Sequence, residues 1–150
     1  MKIAIGTDHG GYGYKESLIK LLRREGNKAV DMGTFSSDPC DYPPIGAQVA
    51  RSVSQGKTTR GVLLCKSGGG MAIVANKFPK VRAVVCQDVR QAKHAREHND
   101  ANILVLGAEG INQRQALAIL SAWMKQPFAG GRHARRVLQI RKIERDIRHV

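Results

Sequence analysis

Residues 61–70 read GVLLCKSGGG, an apolar run that ends at Cys65 and passes directly into a glycine-rich turn. An apolar run with little polar alternation is typical of a strand that is covered on both faces. Four further runs of this kind are separated by amphipathic helical patterns, which indicates a parallel sheet with helices on both sides. The candidate strands are Ile3–Ile5, Lys28–Met32, Gly61–Cys65, Arg82–Cys86 and Asn102–Leu106.

The length and composition of the chain fit one folded domain. The chain has 150 residues, 42% of them apolar, which predicts a single domain over residues 1–150. No apolar run approaches the roughly 20 residues that span a bilayer, and the N-terminus lacks the pattern of a secretory signal. Three cysteines without a close pair argue against a disulfide framework or a structural zinc site, and they fit a reducing cytoplasm.

The chain is strongly basic, with a formal charge of +13 from 25 basic and 12 acidic residues. This charge is compatible with nucleic acid, an anionic surface or a small anionic substrate as the partner. Aromatic residues make up only 5% of the chain, too few for platforms on which single strands stack. A basic nucleic-acid binder stays an alternative, and it predicts steeply salt-dependent binding.

The end of the chain, from about Arg132 to Val150, predicts one more helix. Its apolar residues are spaced by three and four and form a stripe, which consists of Val137, Ile140, Ile143 and Ile147. Such a stripe can cover its own domain or dock on a second subunit, and the pattern alone does not separate the two.

Polar side chains concentrate next to the ends of the predicted strands. In open parallel sheets, ligands bind beyond the carboxyl ends of the strands. We therefore expect the reactive residues to gather mainly at one edge of the sheet. They are Asp8 and His9 after the first strand, Asp41 and Tyr42 after the second, Lys66 and Ser67 after the third, and His98, Asn99 and Asp100 just before the fifth.

Cys65 is the candidate base. It precedes a turn that opens a helix, where amide N–H groups and the neighbouring Lys66 favour a thiolate. The glycine loop can hold a phosphate, or the enediolate oxygen that forms when a base removes a proton beside a carbonyl. Cys86 has no glycine loop after it, so we interpret it as a core residue and Cys40 as a loop residue.

The other candidates are acid–base groups and phosphate ligands. Asp8 with His9 can transfer protons or bind a sugar hydroxyl, and His98 offers a second acid–base group. Arg132 and Arg136 are four residues apart, so they share one helical face and can grip a phosphate together.

Two other kinds of site are weakly supported. His94 and His98 are four apart on a helical pattern, but no third metal ligand has a convincing spacing. A dinucleotide site would need bare backbone in the first turn, where Asp8 and His9 stand, and the glycine spacing does not match its fingerprint.

Taken together, the motifs resemble one family, ribose-5-phosphate isomerase B with its galactose- and allose-phosphate isomerase relatives. Five segments carry the resemblance, in the family's order and over nearly the whole chain: residues 6–11 (GTDHGG), 33–43 (GT through DYP), 65–77, 98–102 (HNDAN) and 130–133 (GGRH). The resemblance implies a three-layer α/β/α sandwich with a five-stranded, parallel, Rossmann-like sheet. It also implies a homodimer or a tetramer, with the C-terminal helix at the dimer interface and sites built from both subunits. No metal or coenzyme is expected.

The resemblance also implies a role for each site residue. These roles are Cys65 as the base between C2 and C1, Ser67 as the hydroxyl at the C1 oxygen, Gly68, Gly69 and Gly70 as amide donors to the enediolate, His98 with Asp8 for ring opening, Asn99 and Tyr42 as pocket lining, Asp41 as a group that tunes the thiol, and His9, Arg132 and Arg136 as phosphate ligands. Cys65 together with Met71 matches the branch of the family that uses a cysteine base.

Two positions depart from the family pattern. Lys66 stands where the family loop has glycine, and Glu109 stands where relatives carry an arginine that helps bind phosphate. We expect Lys66 to supply the missing positive charge or to pair with Glu109. Alternatively, both changes mark a different substrate or reduced activity.

The sequence therefore predicts a cytoplasmic aldose–ketose isomerase that interconverts ribose 5-phosphate and ribulose 5-phosphate through cysteine-based proton transfer. We expect it to bind a small sugar phosphate and further copies of the chain. We expect it to bind neither nucleic acid nor a membrane. The alternatives are an isomerase of a tetrose, allose or galactose phosphate, and a non-catalytic subunit of such an enzyme.

Overall fold

The computed structural model describes residues 1–147 and contains the expected five-stranded sheet. All paired strands are parallel, in the order β2-β1-β3-β5-β4. The strands are β1 Lys2–Thr7, β2 Lys28–Asp31, β3 Arg60–Cys65, β4 Ala83–Val85 and β5 Ile103–Gly107. The sequence prediction of five parallel strands is confirmed, with strand ends that agree within two residues.

Six helices connect and cover the strands. They are α1 Tyr12–Arg24, α2 Tyr42–Ser54, α3 Gly69–Ala75, α4 Val89–Asn99, α5 Gln113–Lys125 and α6 Gly131–Asp146. Helix α6 matches the predicted C-terminal helix, whose last residues, 148–150, lie outside the described residues. No helix within residues 1–147 is both long and apolar enough to cross a membrane.

The core lies on both faces of the sheet, because successive strand residues point to opposite sides. On β3, Val62 and Leu64 pack with apolar residues of α1, α4 and α5. Leu63 and Cys65 instead pack with apolar residues of α2 and α3. This arrangement confirms the three-layer α/β/α sandwich.

The strand order creates a crevice between the neighbouring strands β1 and β3. From β1 the chain leaves through α1 towards β2, whereas from β3 it leaves through α3 towards β4 at the other end of the sheet. Ligands of open α/β sheets bind where two such connections diverge. The loops after Thr7 and after Cys65 border this crevice.

The apolar stripe of α6 is largely uncovered in the single chain. Val137 is buried, but Ile140, Ile143 and Ile147 are each at least 45% exposed, and Leu138 beside them is also exposed. A helix with such a face is usually covered by another surface. Within residues 1–147, the body of the chain does not provide that cover.

Candidate active site

Cys65 lies at the carboxyl end of β3 and is only 5% exposed. Gly68 turns the chain back with a left-handed φ of 83°, a conformation that glycine adopts without strain. The turn directs the N–H of Gly68 at the Sγ of Cys65, at 3.1 Å. A backbone donor stabilises a negative sulfur more than a neutral one, so the loop suits a thiolate.

The amide groups of the glycine loop do not all remain free. The N–H of Gly68 is taken by Cys65, and the N–H of Gly69 donates to the Oγ of Ser67 at 3.3 Å. The amides of Gly70 and Met71 lie in the first turn of α3, and no hydrogen bond to them is found among residues 1–147. These two amides, rather than those of Gly68 and Gly69, are the donors that can meet an anion.

Tyr42 packs directly over the start of α3. A Cβ atom on Gly70 would lie 2.5 Å from the Cζ of Tyr42 and 2.7 Å from its hydroxyl oxygen. Tyr42 is the first residue of α2 and stays partly exposed. The absence of a side chain at position 70 therefore allows an aromatic ring to cover the loop that carries Cys65.

Asp8 and His9 form the turn after β1. Asp8 is buried, and its Oδ1 accepts the N–H groups of Gly10, at 2.9 Å, and Gly11, at 3.3 Å. The Nδ1 of the half-buried His9 accepts the backbone N–H of Cys40 at 3.1 Å. Asp8 thus fixes its own turn, and His9 is tied to the segment that leads to Tyr42.

Lys66 connects the loops after β1 and β5. A Cβ on Gly10 would lie 2.7 Å from the Cγ of Lys66, so the stem of Lys66 lies against the first loop. Its Nζ lies 3.7 Å from the Oε1 of Glu109, in an ion pair whose side chains are both about two-thirds exposed. The expected pairing of Lys66 with Glu109 is therefore present. An exposed pair of this length stabilises the fold by at most about 1 kcal/mol, so an anion can compete for the ammonium group.

A partly buried ion pair fixes the segment between β2 and α2. The Nζ of Lys15 lies 2.8 Å from a carboxylate oxygen of Asp31 and also donates to the carbonyl of Thr34. The N–H of Gly33 donates to the same carboxylate at 3.0 Å. Lys15 carries no sequence signal of a site residue, although it shares the buried face of α1 with Leu18 three residues later.

The reactive residues were expected to gather mainly at one edge, but His98 and Asn99 do not lie at the edge that holds Cys65. Helix α4 runs back along the sheet, and the segment after it enters β5 at Ile103, whereas Cys65 pairs with Gly107 at the other end of that strand. Four steps of about 3.3 Å give a separation of about 13 Å along the strand alone. In one chain, His98 and Asn99 therefore lie at the opposite edge from Cys65.

His98 belongs to a basic cluster shared by α4 and α6. Its ring stacks on His94 with a centroid distance of 4.9 Å and on His133 with one of 4.3 Å. Burial lowers the pKa of His133 below its usual 6.5, and the nearby His98, Arg132 and Arg136 lower it further. Residues 1–147 contain no group of three or more potential ligands from His, Cys, Asp and Glu that could hold a metal ion.

The remaining cysteines and Asp41 are easily placed. Cys86 is fully buried in the core, as expected, and burial raises the pKa of its thiol to about 12, with a further contribution from Asp88. Cys40 lies half-buried in a loop, also as expected. Asp41 precedes α2 and is exposed, and no hydrogen bond or ion pair joins it to Cys65 in the described part of the chain.

Comparison with known proteins gives a consistent result. The sequence profile of a family described as Ribose/Galactose Isomerase matches residues 3–140. Ribose-5-phosphate isomerase B of Escherichia coli (strain K12) is 41% identical, over 95% of this chain and 96% of the relative. A solved structure of Clostridium thermocellum ribose-5-phosphate isomerase B superimposes with a TM-score of 0.95 at 45% identity, over 98% of this chain and 99% of that one. D-erythrulose-4-phosphate isomerase of Pectobacterium atrosepticum is 36% identical over 99% of both chains.

Proposed function

The chain belongs to the ribose/galactose isomerase family and is an aldose–ketose isomerase, and we propose that it interconverts ribose 5-phosphate and ribulose 5-phosphate with Cys65 as the base. The observation that carries this proposal is the hydrogen bond from the N–H of Gly68 to the Sγ of Cys65, at the crevice where ligands of this fold class bind. A nearly buried sulfur with an amide donor and two unpaired amides nearby is suited to proton abstraction beside a carbonyl.

The reaction moves one proton between two carbon atoms. The sulfur of Cys65 takes the hydrogen of C2 as a proton, and the electron pair of that bond forms the C1–C2 double bond while charge moves to the C1 oxygen. The C1 oxygen is then protonated, the C2 hydroxyl loses its proton to become the ketone, and the thiol returns its proton to C1. Atoms and electrons balance without a metal or a redox partner.

The charge that develops on the C1 oxygen needs fixed donors. The hydroxyl of Ser67 accepts one amide through its oxygen and keeps its own hydrogen free to donate. The unpaired amides of Gly70 and Met71 are fixed by the backbone of α3, so they need no reorganisation during the reaction. Tyr42 covers this loop and would limit the access of water.

Two copies of the chain would complete each site. Cys65 and its neighbours lie at one edge of the sheet, while His98, Asn99, Arg132 and Arg136 belong to the cluster at the other. The uncovered apolar stripe of α6 offers a surface on which a second copy can dock. In this dimer, one copy supplies the base and His9, and the other supplies the ring-opening histidine and the two phosphate-binding arginines.

A mixing experiment tests the shared site. One variant carries Cys65→Ala and lacks the base. The other carries Arg132→Ala with Arg136→Ala and lacks the phosphate-binding arginines, so the two variants inactivate different halves of the site. After random exchange of equal amounts, half of the dimers are mixed, and each holds one intact site of two, so activity should recover to about a quarter of the wild-type value. Activity that stays at the level of the parents, although exchange is demonstrated with tagged subunits, would refute the shared site.

A tetrose phosphate is the second candidate substrate. The observation that favours it is the full-length similarity to D-erythrulose-4-phosphate isomerase of Pectobacterium atrosepticum. We propose that Lys66 leaves Glu109 to bind the substrate's phosphate. Turnover of aldose phosphates with four, five and six carbons by the purified chain identifies the sugar. The highest kcat/KM should be with ribose 5-phosphate, and no activity on any of them would indicate a non-catalytic subunit. An unchanged KM in Lys66→Ala would refute the role of Lys66.

A further inference from the structure

The hydrogen bond between Cys40 and His9 determines which nitrogen of His9 carries a proton. A backbone N–H can only donate, so the Nδ1 that lies 3.1 Å from the nitrogen of Cys40 must accept and carries no hydrogen. A neutral imidazole with one accepting nitrogen has its hydrogen on the other one. The contact therefore selects the form of His9 that is protonated at Nε2 alone.

The segment that presents the amide of Cys40 is itself held by the backbone. The N–H of Thr7 donates to the carbonyl of Gly33 at 2.7 Å, and Lys15 donates to the carbonyl of Thr34. Beyond Cys40, the chain enters α2 at Tyr42, whose ring lies against Gly70. Because the donor is a main-chain group, its direction is set by the path of the segment between β2 and α2, and it can only offer a hydrogen to Nδ1.

We infer that His9 binds the substrate's phosphate as a neutral donor through its Nε2–H, and that the backbone of Cys40 is the positioning group that sets this form. Protonation of Nδ1 would place two donors face to face at 3.1 Å. The positive charge that balances the phosphate then comes from Lys66 and the arginines, not from His9. The phosphate as ligand rests on the proposed function, but the protonation pattern of the ring does not.

Asp8 adjoins His9 in the sequence, and Asp41 adjoins its hydrogen-bond partner Cys40. One carboxylate oxygen of Asp8 is occupied by the amides of Gly10 and Gly11. Lys66 reaches the same turn through the contact of its stem with Gly10, and its ammonium pairs with Glu109. None of the hydrogen bonds or ion pairs found within residues 1–147 joins a carboxylate to the ring of His9.

Nitrogen NMR of the full-length protein tests the protonation pattern directly. The ¹⁵N signals of the His9 ring, assigned by comparison with His9→Asn, should show Nδ1 as an unprotonated acceptor and Nε2 as protonated. Addition of inorganic phosphate should shift the Nε2 signal and leave Nδ1 an acceptor. A hydrogen on Nδ1, with or without one on Nε2, would overturn the inference, and so would phosphate that binds competitively with the substrate without moving Nε2.

Two substitutions separate the two nitrogens of the ring. An asparagine oxygen can replace Nδ1 as the acceptor for Cys40, whereas a glutamine amide can reach the position of Nε2 and donate there. His9→Gln should therefore retain inhibition by inorganic phosphate better than His9→Asn, with at least a threefold difference in the inhibition constant. Equal losses in both variants would overturn the donor role. If NMR and phosphate binding behave as expected while no sugar phosphate is turned over, the proposed function fails and this inference stands.

Discussion

Replacement of Gly70 by alanine tests whether Tyr42 really covers the catalytic loop. The new methyl group would lie 2.5 to 2.7 Å from three atoms of the Tyr42 ring, closer than carbon atoms approach in proteins. Overpacking of this kind costs about 1–3 kcal/mol when the neighbour must move. Tyr42 is 38% exposed, so it can swing outwards, and we expect a loss of stability in the lower half of that range. The displaced ring should also lower kcat/KM.

A double-mutant cycle isolates this contact. In a Tyr42→Ala background the methyl group meets no ring, so Gly70→Ala should become neutral or slightly stabilising, and the interaction energy from urea unfolding should be about 1–3 kcal/mol. Gly13→Ala serves as the control, because a Cβ there meets nothing within 4 Å and should stabilise α1 by about 0.5–1 kcal/mol. If Gly70→Ala costs the same in both backgrounds, the described packing of Tyr42 is refuted.

Three further predictions concern stability and thiol reactivity. Lys15→Met removes the buried partner of a partly buried ion pair and should destabilise the protein by about 1–3 kcal/mol in urea unfolding; a loss under about 0.5 kcal/mol would contradict a structural role for the pair. Because the pKa of His133 is lowered on folding, the unfolded chain binds more protons below pH 6.5, and stability should fall as the pH drops through that value. The free energy of unfolding of the His133→Gln variant should fall less than that of wild type between about pH 7.5 and about pH 5.5. An equal decline in both proteins would exclude His133 as the cause. Finally, a thiol reagent should label the half-buried Cys40 in the native protein and leave Cys86 unmodified until unfolding, whereas rapid labelling of Cys86 would contradict its burial.

The sheet could be predicted from the sequence because its strands are covered on both faces. Runs such as residues 61–65 are continuously apolar, and their glycine and polar borders fix the ends to within two residues. The same reasoning predicts where the crevice opens, because Cys65 ends β3 and the turn after Thr7 follows the neighbouring parallel strand β1.

The position of His98 and Asn99 was not predicted correctly from the pattern alone. Both residues precede a strand instead of following one, and a crossover helix returns the chain to the amino ends of the strands. Residues that directly precede a parallel strand lie at the opposite edge from residues that follow one. This rule can be applied to the sequence, and it places His98 and Asn99 at the far edge. The stacked rings of His94, His98 and His133 could not be predicted, because they depend on how α6 packs against α4.

The contacts that position the loops also could not be predicted from the sequence. A lysine in an amphipathic helix is usually solvated, so the burial of Lys15 against Asp31 depends on where the segment after β2 passes. The hydrogen bond between Cys40 and His9 joins residues 31 positions apart in two loops. Such contacts are fixed by tertiary packing and leave no periodic signal.

The most direct measurement of the central claim is the exchange of the C2 hydrogen of ribose 5-phosphate with solvent deuterium, followed by proton NMR with Cys65→Ala and Cys65→Ser. A positioned base contributes about 10²- to 10⁴-fold to such a step, so both variants should exchange at least about 100-fold more slowly than wild type while their thermal unfolding stays cooperative. Exchange at the wild-type rate in folded Cys65→Ala would contradict the claim that this thiolate moves the proton.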